Sequence, residues 1–276
     1  MLNLDKVHKI VSRILETTDK KIINGFHSDL EIIDKGGRID ANPVTQVDGE
    51  VEDIIKKQLS ESFPEIGFIG EERDDNTEDE YNWVVDPIDG TRNFSLKIPV
   101  FSTSIALWKN NQPIYGMMSF PMQSLRVHVI EGRGVFVNER KHAYNSQNNN
   151  LDNKAPLILL NMVSDPQSKA EIFVKISENI FSPRYFGSAV YHLMMVGLGK
   201  AEVAALWNLA PWDLGVAKLL MQEVGLEYRF VGEDVNLDLE DKNPYRFKLI
   251  VGQQPFVDKI TGFFEEALDK IEGRVS

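Results

Sequence analysis

Two aspartates, Asp86 and Asp89, follow a short apolar run and are separated by Pro87 and Ile88. Because proline restricts the backbone between them, both carboxylates and the Ile88 carbonyl can converge on one point instead of alternating across a strand. A set of oxygen donors held at a fixed separation suits Mg²⁺, which prefers near-octahedral oxygen ligands at about 2.0–2.1 Å. The spacing therefore predicts a site for a hard divalent cation.

Gly90 and Thr91 come directly after this acidic pair. Glycine allows a backbone conformation that other residues avoid, and threonine is a suitable residue for the start of a helix, so exposed N–H groups could point at an anion. An aspartate-rich turn is also common without any ligand. The segment by itself leaves both interpretations open.

Further acids stand at two other places where an element begins or ends. Glu71 and Glu72 follow the apolar run 66–69, and Asp213 opens a stretch of helical periodicity after Trp212. An aspartate at a helix start is also favoured by the helix dipole alone, so Asp213 could be an ordinary cap. Glu72 could equally be a solvated acid, because it opens the charged run 73–80.

Taken together, these motifs resemble the inositol monophosphatase superfamily of Mg²⁺-dependent, Li⁺-sensitive phosphatases. The resemblance covers nearly the whole chain and rests on five segments in order: 42–48, 68–72, 86–91, 187–189 and 212–213. It implies a mixed α/β fold, layered as an αβαβα sandwich, with the site between its two halves.

The resemblance also implies a ligand set for two or three Mg²⁺ ions per site. Glu71, Asp86 and the Ile88 carbonyl would hold the first ion, and Asp86, Asp89 and Asp213 the second. The acids alone would repel a phosphate dianion, whereas divalent cations reverse the charge of the cavity. Metal binding is therefore expected to precede or accompany substrate binding.

Catalysis is expected to use a metal-held water that Thr91 orients. A threonine hydroxyl needs a carboxylate acceptor for this task, and Asp48 is the matching residue of the family pattern. Asp48, Thr91 and Glu71 are the predicted catalytic residues. Asp89, Gly90 and Thr91 are predicted to contact the substrate, with backbone N–H groups of the last two on the phosphate.

The substrate is less well defined by the sequence. Arg184, Gly187, Ser188 and Ala189 lie in the half that would frame the leaving group, and Arg184 could pair with a second phosphate. Inositol monophosphatases have an acid seven positions before the Trp-Asp aspartate, where this chain has Leu206. Leu206 therefore argues against inositol itself. The candidates are an inositol monophosphate-like sugar or polyol phosphate, fructose 1,6-bisphosphate, histidinol phosphate and 3′-phosphoadenosine 5′-phosphate.

Two rival classes of function stay open at this stage. A haloacid dehalogenase-type phosphatase forms a phosphoaspartate from an Asp-x-Asp-Gly-Thr loop, but here Pro87 and Ile88 separate the acids by one residue too many. A non-enzymatic adaptor that binds a protein or RNA machine would have no physical need for the complete ligand set.

Composition excludes several other classes. The 276 residues include 30 Lys+Arg and 42 Asp+Glu, a net charge of −12, which argues against nucleic acid or an anionic membrane as partner. With no cysteine, cysteine phosphatases and zinc–thiolate sites are excluded. The five histidines are scattered and are expected to be structural.

No apolar run reaches the roughly 18 residues of a membrane span, so a soluble cytoplasmic protein is expected. The resemblance implies a homodimer.

Hydrophobic periodicity divides the chain into two halves. Helical spacing near the start gives way to short apolar runs between 83 and 137, which predict a sheet with an antiparallel meander. Alternating strands and helices are predicted after residue 156. The polar segment 144–154 predicts a connector between an N-terminal α+β subdomain, 1–143, and a C-terminal α/β subdomain, 155–276.

Overall fold

A computed structural model of the chain describes residues 2–28, 32–33, 44–71, 80–144, 156–161, 166–179, 182–231 and 247–275. The predicted connector lies outside these residues except for Tyr144. Glu72 and residues 73–79 of the charged run also lie outside them, as do residues 42 and 43 of the family motif. The subdomain boundaries therefore stay a prediction.

Eight α-helices are found in the described part of the chain, together with a 3₁₀ turn at Pro121–Gln123. The helices are α1 Leu4–His27, α2 Gln46–Ser62, α3 Thr91–Ser95, α4 Pro166–Glu178, α5 Ala189–Gly197, α6 Pro211–Leu214, α7 Ala217–Val224 and α8 Gln254–Val275.

Fourteen β-strands accompany them over the same residues. The strands are β1 Ile32–Ile33, β2 Val44–Thr45, β3 Gly67–Gly70, β4 Tyr81–Asp89, β5 Ser102–Lys109, β6 Gln112–Phe120, β7 Leu125–Ile130, β8 Gly134–Val137, β9 Arg140–Lys141, β10 Leu157–Asn161, β11 Ser182–Arg184, β12 Val203–Leu209, β13 Glu227–Phe230 and β14 Phe247–Gly252.

Two large sheets organise these strands. The first has the order β3-β4-β5-β6-β7-β8-β9, and its strands from β4 onward form the predicted antiparallel meander, while β3 runs parallel to β4. The second has the order β11-β10-β12-β14-β13, in which β10 is parallel to both of its neighbours. A third, two-stranded sheet pairs β1 with β2.

Three apolar clusters stack the helices and the two large sheets in five layers. One cluster joins α1 and α2 to the outer face of the first sheet, through residues such as Val11, Val51 and Trp83. The central cluster fills the space between the sheets with α5, α6 and α7. The third packs α4 and α8 on the far face of the second sheet. The layering confirms the predicted αβαβα sandwich.

One element boundary differs from the prediction. The helix expected to start at Asp213 begins at Pro211, where proline suits the first helical position, and ends after one turn at Leu214. Gly215 follows, and a Cβ there would lie 3.3 Å from Val84 and Ala106, so this turn packs directly against the first sheet.

Strand direction brings the acids of different segments together. Because β3 and β4 are parallel, with Gly70 opposite Val85, Glu71 leaves the sheet beside Asp86. The helices α5 and α6 begin against the same end of β4, between the two sheets. The site therefore lies where the two halves of the chain meet.

Among the described residues, no helix is long and apolar enough to cross a membrane.

The close contact between α5 and α7 gives a test of the central layer. A Cβ on Gly197 would lie 2.4 Å from Leu220 Cδ2, and Leu220 is fully buried. We expect Gly197→Ala to destabilise the protein by about 1–3 kcal/mol through overpacking, measured by urea denaturation. Gly262→Ala in α8 is the matched control, because a Cβ there meets no neighbouring atom. Equal stability of the two variants would contradict the packing described here.

Candidate active site

A bulge in β4 aims the two central aspartates at the same place. Asp86 lies opposite Ser104 of β5, and Asp89 lies opposite Ser102, so three steps along β4 correspond to two along β5. Residues two apart on a strand point to one face, whereas residues three apart normally do not. The extra residue thus puts both carboxylates on one side. Thr103 Oγ1 donates to the Pro87 carbonyl at 2.9 Å within the bulge.

Asp86 carries a carboxylate that the protein does not satisfy. The residue is 2% exposed, and its Oδ1 is buried without a hydrogen-bond donor among the described residues. Burial raises the pKa of Asp86 well above its ordinary value, and the negative charges of Glu71, Asp89, Asp213 and Asp48 raise it further. An ionised Asp86 therefore needs a cation as its partner.

Asp89 is in the opposite situation, because four donors surround it. Its carboxylate accepts from the Ser102 hydroxyl at 3.0 Å, from the Ser188 hydroxyl, and from the backbone N–H groups of Ala189 at 2.9 Å and Val190 at 3.1 Å. The last two open α5, where the helix dipole favours a negative charge. Burial still raises the pKa of Asp89, and these hydrogen bonds oppose the rise. Asp89 thus joins the first sheet to the second half of the chain.

Asp213 and Glu71 lie beside Asp86 and Asp89, and these four acids form one wall of a cleft, which we call the acidic wall. Asp213 accepts a hydrogen bond from the Ala210 N–H at 2.7 Å, which holds its carboxylate at the start of α6. Its removal from water and the charge of Asp89 raise the pKa of Asp213 to about 8. Oxygens of Asp86, Asp89 and Asp213 lie within 4.8 Å of one another. Glu71 is half-buried at the edge of the same cleft.

Thr91 and Asp48 form a hydrogen-bonded pair behind this wall. Thr91 Oγ1 lies 3.0 Å from Asp48 Oδ1 and 2.8 Å from the Ile88 carbonyl oxygen. The other Asp48 oxygen accepts from the N–H of Thr45, at 2.9 Å, and from its hydroxyl, an arrangement that opens α2. Burial raises the pKa of Asp48 to about 6 against the lowering effect of these bonds. Asp48 can therefore accept a hydrogen bond from the Thr91 hydroxyl.

Two glycine-containing loops face each other across the cleft. Gly90 has a left-handed φ of 87°, and a Cβ there would lie 3.1 Å from Ser188 Cβ and 3.3 Å from the Gly187 carbonyl. Asn93 ties the loops together, because its Nδ2 donates to the carbonyls of Val100 at 2.7 Å and Phe186 at 2.6 Å. A side chain on Gly90 would therefore push the loops apart.

The cleft has a volume of about 550 Å³, which is enough for a small phosphorylated molecule. The structure brings ten of the predicted residues to its wall: Glu71, Asp86, Ile88, Asp89, Gly90, Thr91, Gly187, Ser188, Ala189 and Asp213. Asp48 is reached through Thr91. Their individual roles stay predictions.

Arg184 and Leu206 are not brought to the cleft. Arg184 is exposed, and its guanidinium donates to the Ser182 hydroxyl at 2.9 Å and the Pro183 carbonyl at 2.8 Å. Leu206 is fully buried in the central apolar cluster. The irregular pairing of β12 after Leu206, together with a left-handed φ of 55° at Asn208, turns Asn208 outward into the cleft instead. Counting seven positions back from Asp213 therefore missed the residue that faces the cleft.

Sequence reasoning also missed residues that hold the predicted ones in place. Asn93 lies two positions after Thr91 and could have been noticed as a polar residue beside the motif. Ser102 carries no recognisable signal, because its role depends on strand pairing. Trp207, Asn208 and Asn161 line the cleft from the second sheet, and no motif marks them.

The chemistry of these donors fits a hard divalent cation. The converging ligand atoms are carboxylate oxygens, and within the described part of the chain Asp86 Oδ1 has no competing donor. Oxygen-only sites suit Mg²⁺, Mn²⁺ or Ca²⁺ better than softer metals. Fold and site together define a two-sheet α/β protein whose carboxylate centre, between the sheets, could hold such a cation.

Comparison with known proteins agrees with this class. The model of the inositol monophosphatase family matches residues 3–253, and the chain belongs to that family. It is 28% identical over 234 residues to an inositol monophosphatase of Dictyostelium discoideum, covering 81% of this chain and 84% of that protein. It is 29% identical over 213 residues to Nus factor SuhB of Xylella fastidiosa, covering 75% and 76%.

The solved structure of Thermotoga maritima IMPase superposes with a TM-score of 0.79 at 20% identity, covering 94% of this chain and 96% of that one. This match confirms the fold. Membership of the family confirms the prediction of a phosphoric monoester hydrolase.

The acidic wall predicts a pH-dependent loss of stability in the metal-free protein. The pKa of Asp213 rises from 3.8 to about 8 on folding, so the folded state binds the proton more tightly. The stability that protonated Asp213 contributes is therefore fully present below about pH 4 and is lost as pH rises through about 8. In EDTA near pH 8, we expect the free energy of unfolding of Asp213→Asn to exceed that of the wild type by at least about 1 kcal/mol. This is roughly the equivalent of one pKa unit.

Urea denaturation at pH 4.5 and pH 8 measures this difference, which should shrink at the lower pH. Saturating Mg²⁺ should reverse the order, because a bound cation stabilises the wild type more than the variant. An Asp213→Asn protein less stable than wild type in EDTA at both pH values would contradict the proposed repulsion.

Proposed function

We propose that this protein is a Mg²⁺-dependent phosphomonoesterase that hydrolyses a small phosphorylated metabolite with a metal-activated water. The observation that carries the proposal is the buried Asp86 Oδ1, which has no donor among the described residues, while Asp89 beside it has four. A fold that gives one acid four donors and leaves an oxygen of its neighbour without one is arranged for a cation at that neighbour.

Two or three Mg²⁺ ions would be held by Glu71, Asp86, the Ile88 carbonyl, Asp89 and Asp213. When bound, they supply positive charge for the phosphoryl oxygens and lower the pKa of a water, as in other metal-assisted hydrolyses. Asp86 is central to the set, because the negative charges of Glu71, Asp89 and Asp213 all raise its pKa.

Thr91 orients the attacking water in this proposal, and Asp48 polarises Thr91. With the Thr91 proton directed to Asp48 Oδ1 at 3.0 Å, the oxygen of Thr91 is left as an acceptor that can align a water O–H. Thr45 holds the carboxylate of Asp48 from the opposite side, so its orientation is restricted. Gly90 and Thr91 would also contact the phosphate through their N–H groups.

Ser188 and Ala189 position Asp89 as well as lining the cleft, and Gly187 holds the loop close to Asn93. The leaving group would face Asn208 and Asn161 on the second sheet. The Trp207 ring points away, because it stacks on Phe264 on the far face of that sheet. The neutral amides of the two asparagines suit the hydroxyls of a polyol or sugar phosphate. An inositol monophosphate-like substrate is therefore preferred to fructose 1,6-bisphosphate, histidinol phosphate or 3′-phosphoadenosine 5′-phosphate.

A cytoplasmic homodimer is proposed from the family resemblance alone. A non-enzymatic adaptor is the alternative of another class, since one relative is named as a Nus factor. Release of phosphate separates the two possibilities.

The first test measures phosphate release from a panel of phosphate esters with Mg²⁺ and with EDTA. We expect activity only with Mg²⁺, and Asp86→Asn should lower kcat on the order of a hundred- to ten-thousand-fold, because several kcal/mol of transition-state stabilisation are lost. Glu131→Gln, which changes an exposed acid outside the five motif segments, is the control and should keep wild-type activity. A folded Asp86→Asn protein with near wild-type kcat would overturn the proposal, and a panel with no activity would favour an adaptor.

The second test concerns the hydroxyl of Thr91. Thr91→Val keeps the shape of the side chain but removes the donor to Asp48, so kcat should fall roughly a hundredfold or more with a smaller change in KM. Thr91→Ser keeps the hydroxyl and should retain most of the activity. If the valine variant changes KM alone, Thr91 binds substrate and does not orient water.

A further inference from the structure

A second group of potential metal ligands lies outside the cleft. His8 of α1, His128 of β7 and Glu139, in the turn between β8 and β9, offer two imidazole nitrogens and a carboxylate oxygen within 4.8 Å of one another. None of the three lines the cleft of the acidic wall. The sequence gives no hint of this group, because His8 and Glu139 are 131 positions apart.

One nitrogen of each imidazole lies close to the Glu139 carboxylate, at a spacing near that of metal ligands. His8 Nε2 lies 3.2 Å from Glu139 Oε2, and His128 Nδ1 lies 3.6 Å from the other oxygen, Oε1. Tetrahedral zinc with bonds of about 2.0–2.1 Å separates neighbouring ligand atoms by about 3.3–3.4 Å. Strong hydrogen bonds between an imidazole and a carboxylate are shorter, at about 2.7–2.9 Å.

The backbone holds Glu139 in position before any ligand arrives. Asn138 and Glu139 both have left-handed backbones, with φ of 45° and 64°. Asn138 locks the turn, since its Oδ1 accepts from the Arg126 N–H at 2.8 Å and its Nδ2 donates to the Ser124 carbonyl at 3.2 Å. Glutamate rarely adopts this conformation, so the turn is maintained by its surroundings.

Neighbouring groups also restrict the orientation of the two imidazoles and set their protonation. His128 is buried and stacks on Phe136 with ring centroids 4.6 Å apart. Burial and the proximity of His8 lower the pKa of His128 to about 4, against the raising effect of Glu139, so this ring is neutral, as metal ligation requires. His8 Nδ1 lies 3.3 Å from the Tyr115 hydroxyl, a contact that can fix the tautomer and leave Nε2 directed at Glu139.

We propose that His8, His128 and Glu139 form a binding site for a divalent transition metal, with Zn²⁺ as the best match. Two imidazoles and one carboxylate are a common zinc ligand set, and a water would take the fourth position. The side chain of Glu139 is 64% exposed and that of His8 is 19% exposed, so an ion can enter from solvent. The bound ion would clamp α1 to the outer end of the first sheet.

Cobalt provides the probe, because low-coordinate Co²⁺ with nitrogen ligands absorbs much more strongly in the visible range than Co²⁺ among six oxygens. The protein is first saturated with Mg²⁺, which prefers oxygen ligands and occupies the acidic wall. Co²⁺ is then titrated while the visible spectrum is recorded, and Zn²⁺ is added to displace it. We expect one strong band that Zn²⁺ removes at one equivalent.

Variants of two of the ligands test where the Co²⁺ ion binds. His8→Gln and Glu139→Gln should each weaken Co²⁺ binding at least about tenfold, since even changes behind the ligands cost roughly 10–100-fold. His27→Gln, which removes an exposed histidine at the end of the same helix, and Asp213→Asn, which alters the acidic wall, should both keep the band. Both ligand variants change partly exposed side chains, and circular dichroism verifies that they are folded.

Three results would overturn the site. The first is a wild-type protein with no strong band, in which the three residues are only a hydrogen-bonded group. The second is a band that survives in both ligand variants. The third is a band that disappears in Asp213→Asn, which would assign the ion to the acidic wall.

Discussion

The repulsion between buried carboxylates is the constraint on which the site depends. Asp86, Asp89 and Asp213 approach within 4.8 Å, with Glu71 beside them, and all three have raised pKa values. Such a cluster opposes folding unless hydrogen bonds or cations compensate it. Hydrogen bonds compensate Asp89, whereas Asp86 Oδ1 has no donor among the described residues and suits a cation. In the proposed function, stability and catalysis therefore depend on the same charges.

The two halves of the chain contribute different groups to the site. The first sheet contributes Asp86 and Asp89 through the bulge of β4, while the second half of the chain contributes the N–H groups of α5 and the carboxylate of Asp213. Asn93 adds a direct link between the two loops. Because each half supplies what the other lacks, the cleft forms only when both sheets are packed around the central helices.

Rigidity follows from the same arrangement. The layer between the sheets contains close backbone approaches at Gly116 and Gly197, where any side chain would collide with Val216 or Leu220. Tight packing of this kind transmits small displacements, so the helices that present Asp213 and cap Asp89 cannot shift independently of the sheets. The loops facing the cleft are thus held by the core and by hydrogen bonds to buried groups.

The sequence by itself determined the family, the mixed α/β fold and the acidic residues, because these depend on local order: an Asp-Pro-Ile-Asp-Gly-Thr segment, apolar periodicity and a Trp-Asp pair. It also placed Thr91 and Asp48 together through the family pattern. Only the tertiary structure decided the partners of each acid, since Ser102, Ser188 and Asn93 act through strand register and loop packing.

Counting along the chain failed where the backbone departs from regular geometry. Leu206 was placed at the substrate position, but the irregular pairing of β12 buries it and exposes Asn208. The histidines looked unrelated in sequence, yet α1, β7 and the β8–β9 turn bring His8, His128 and Glu139 into one group. Contacts between residues more than a hundred positions apart carry no local signal, because they are set by the packing of whole elements.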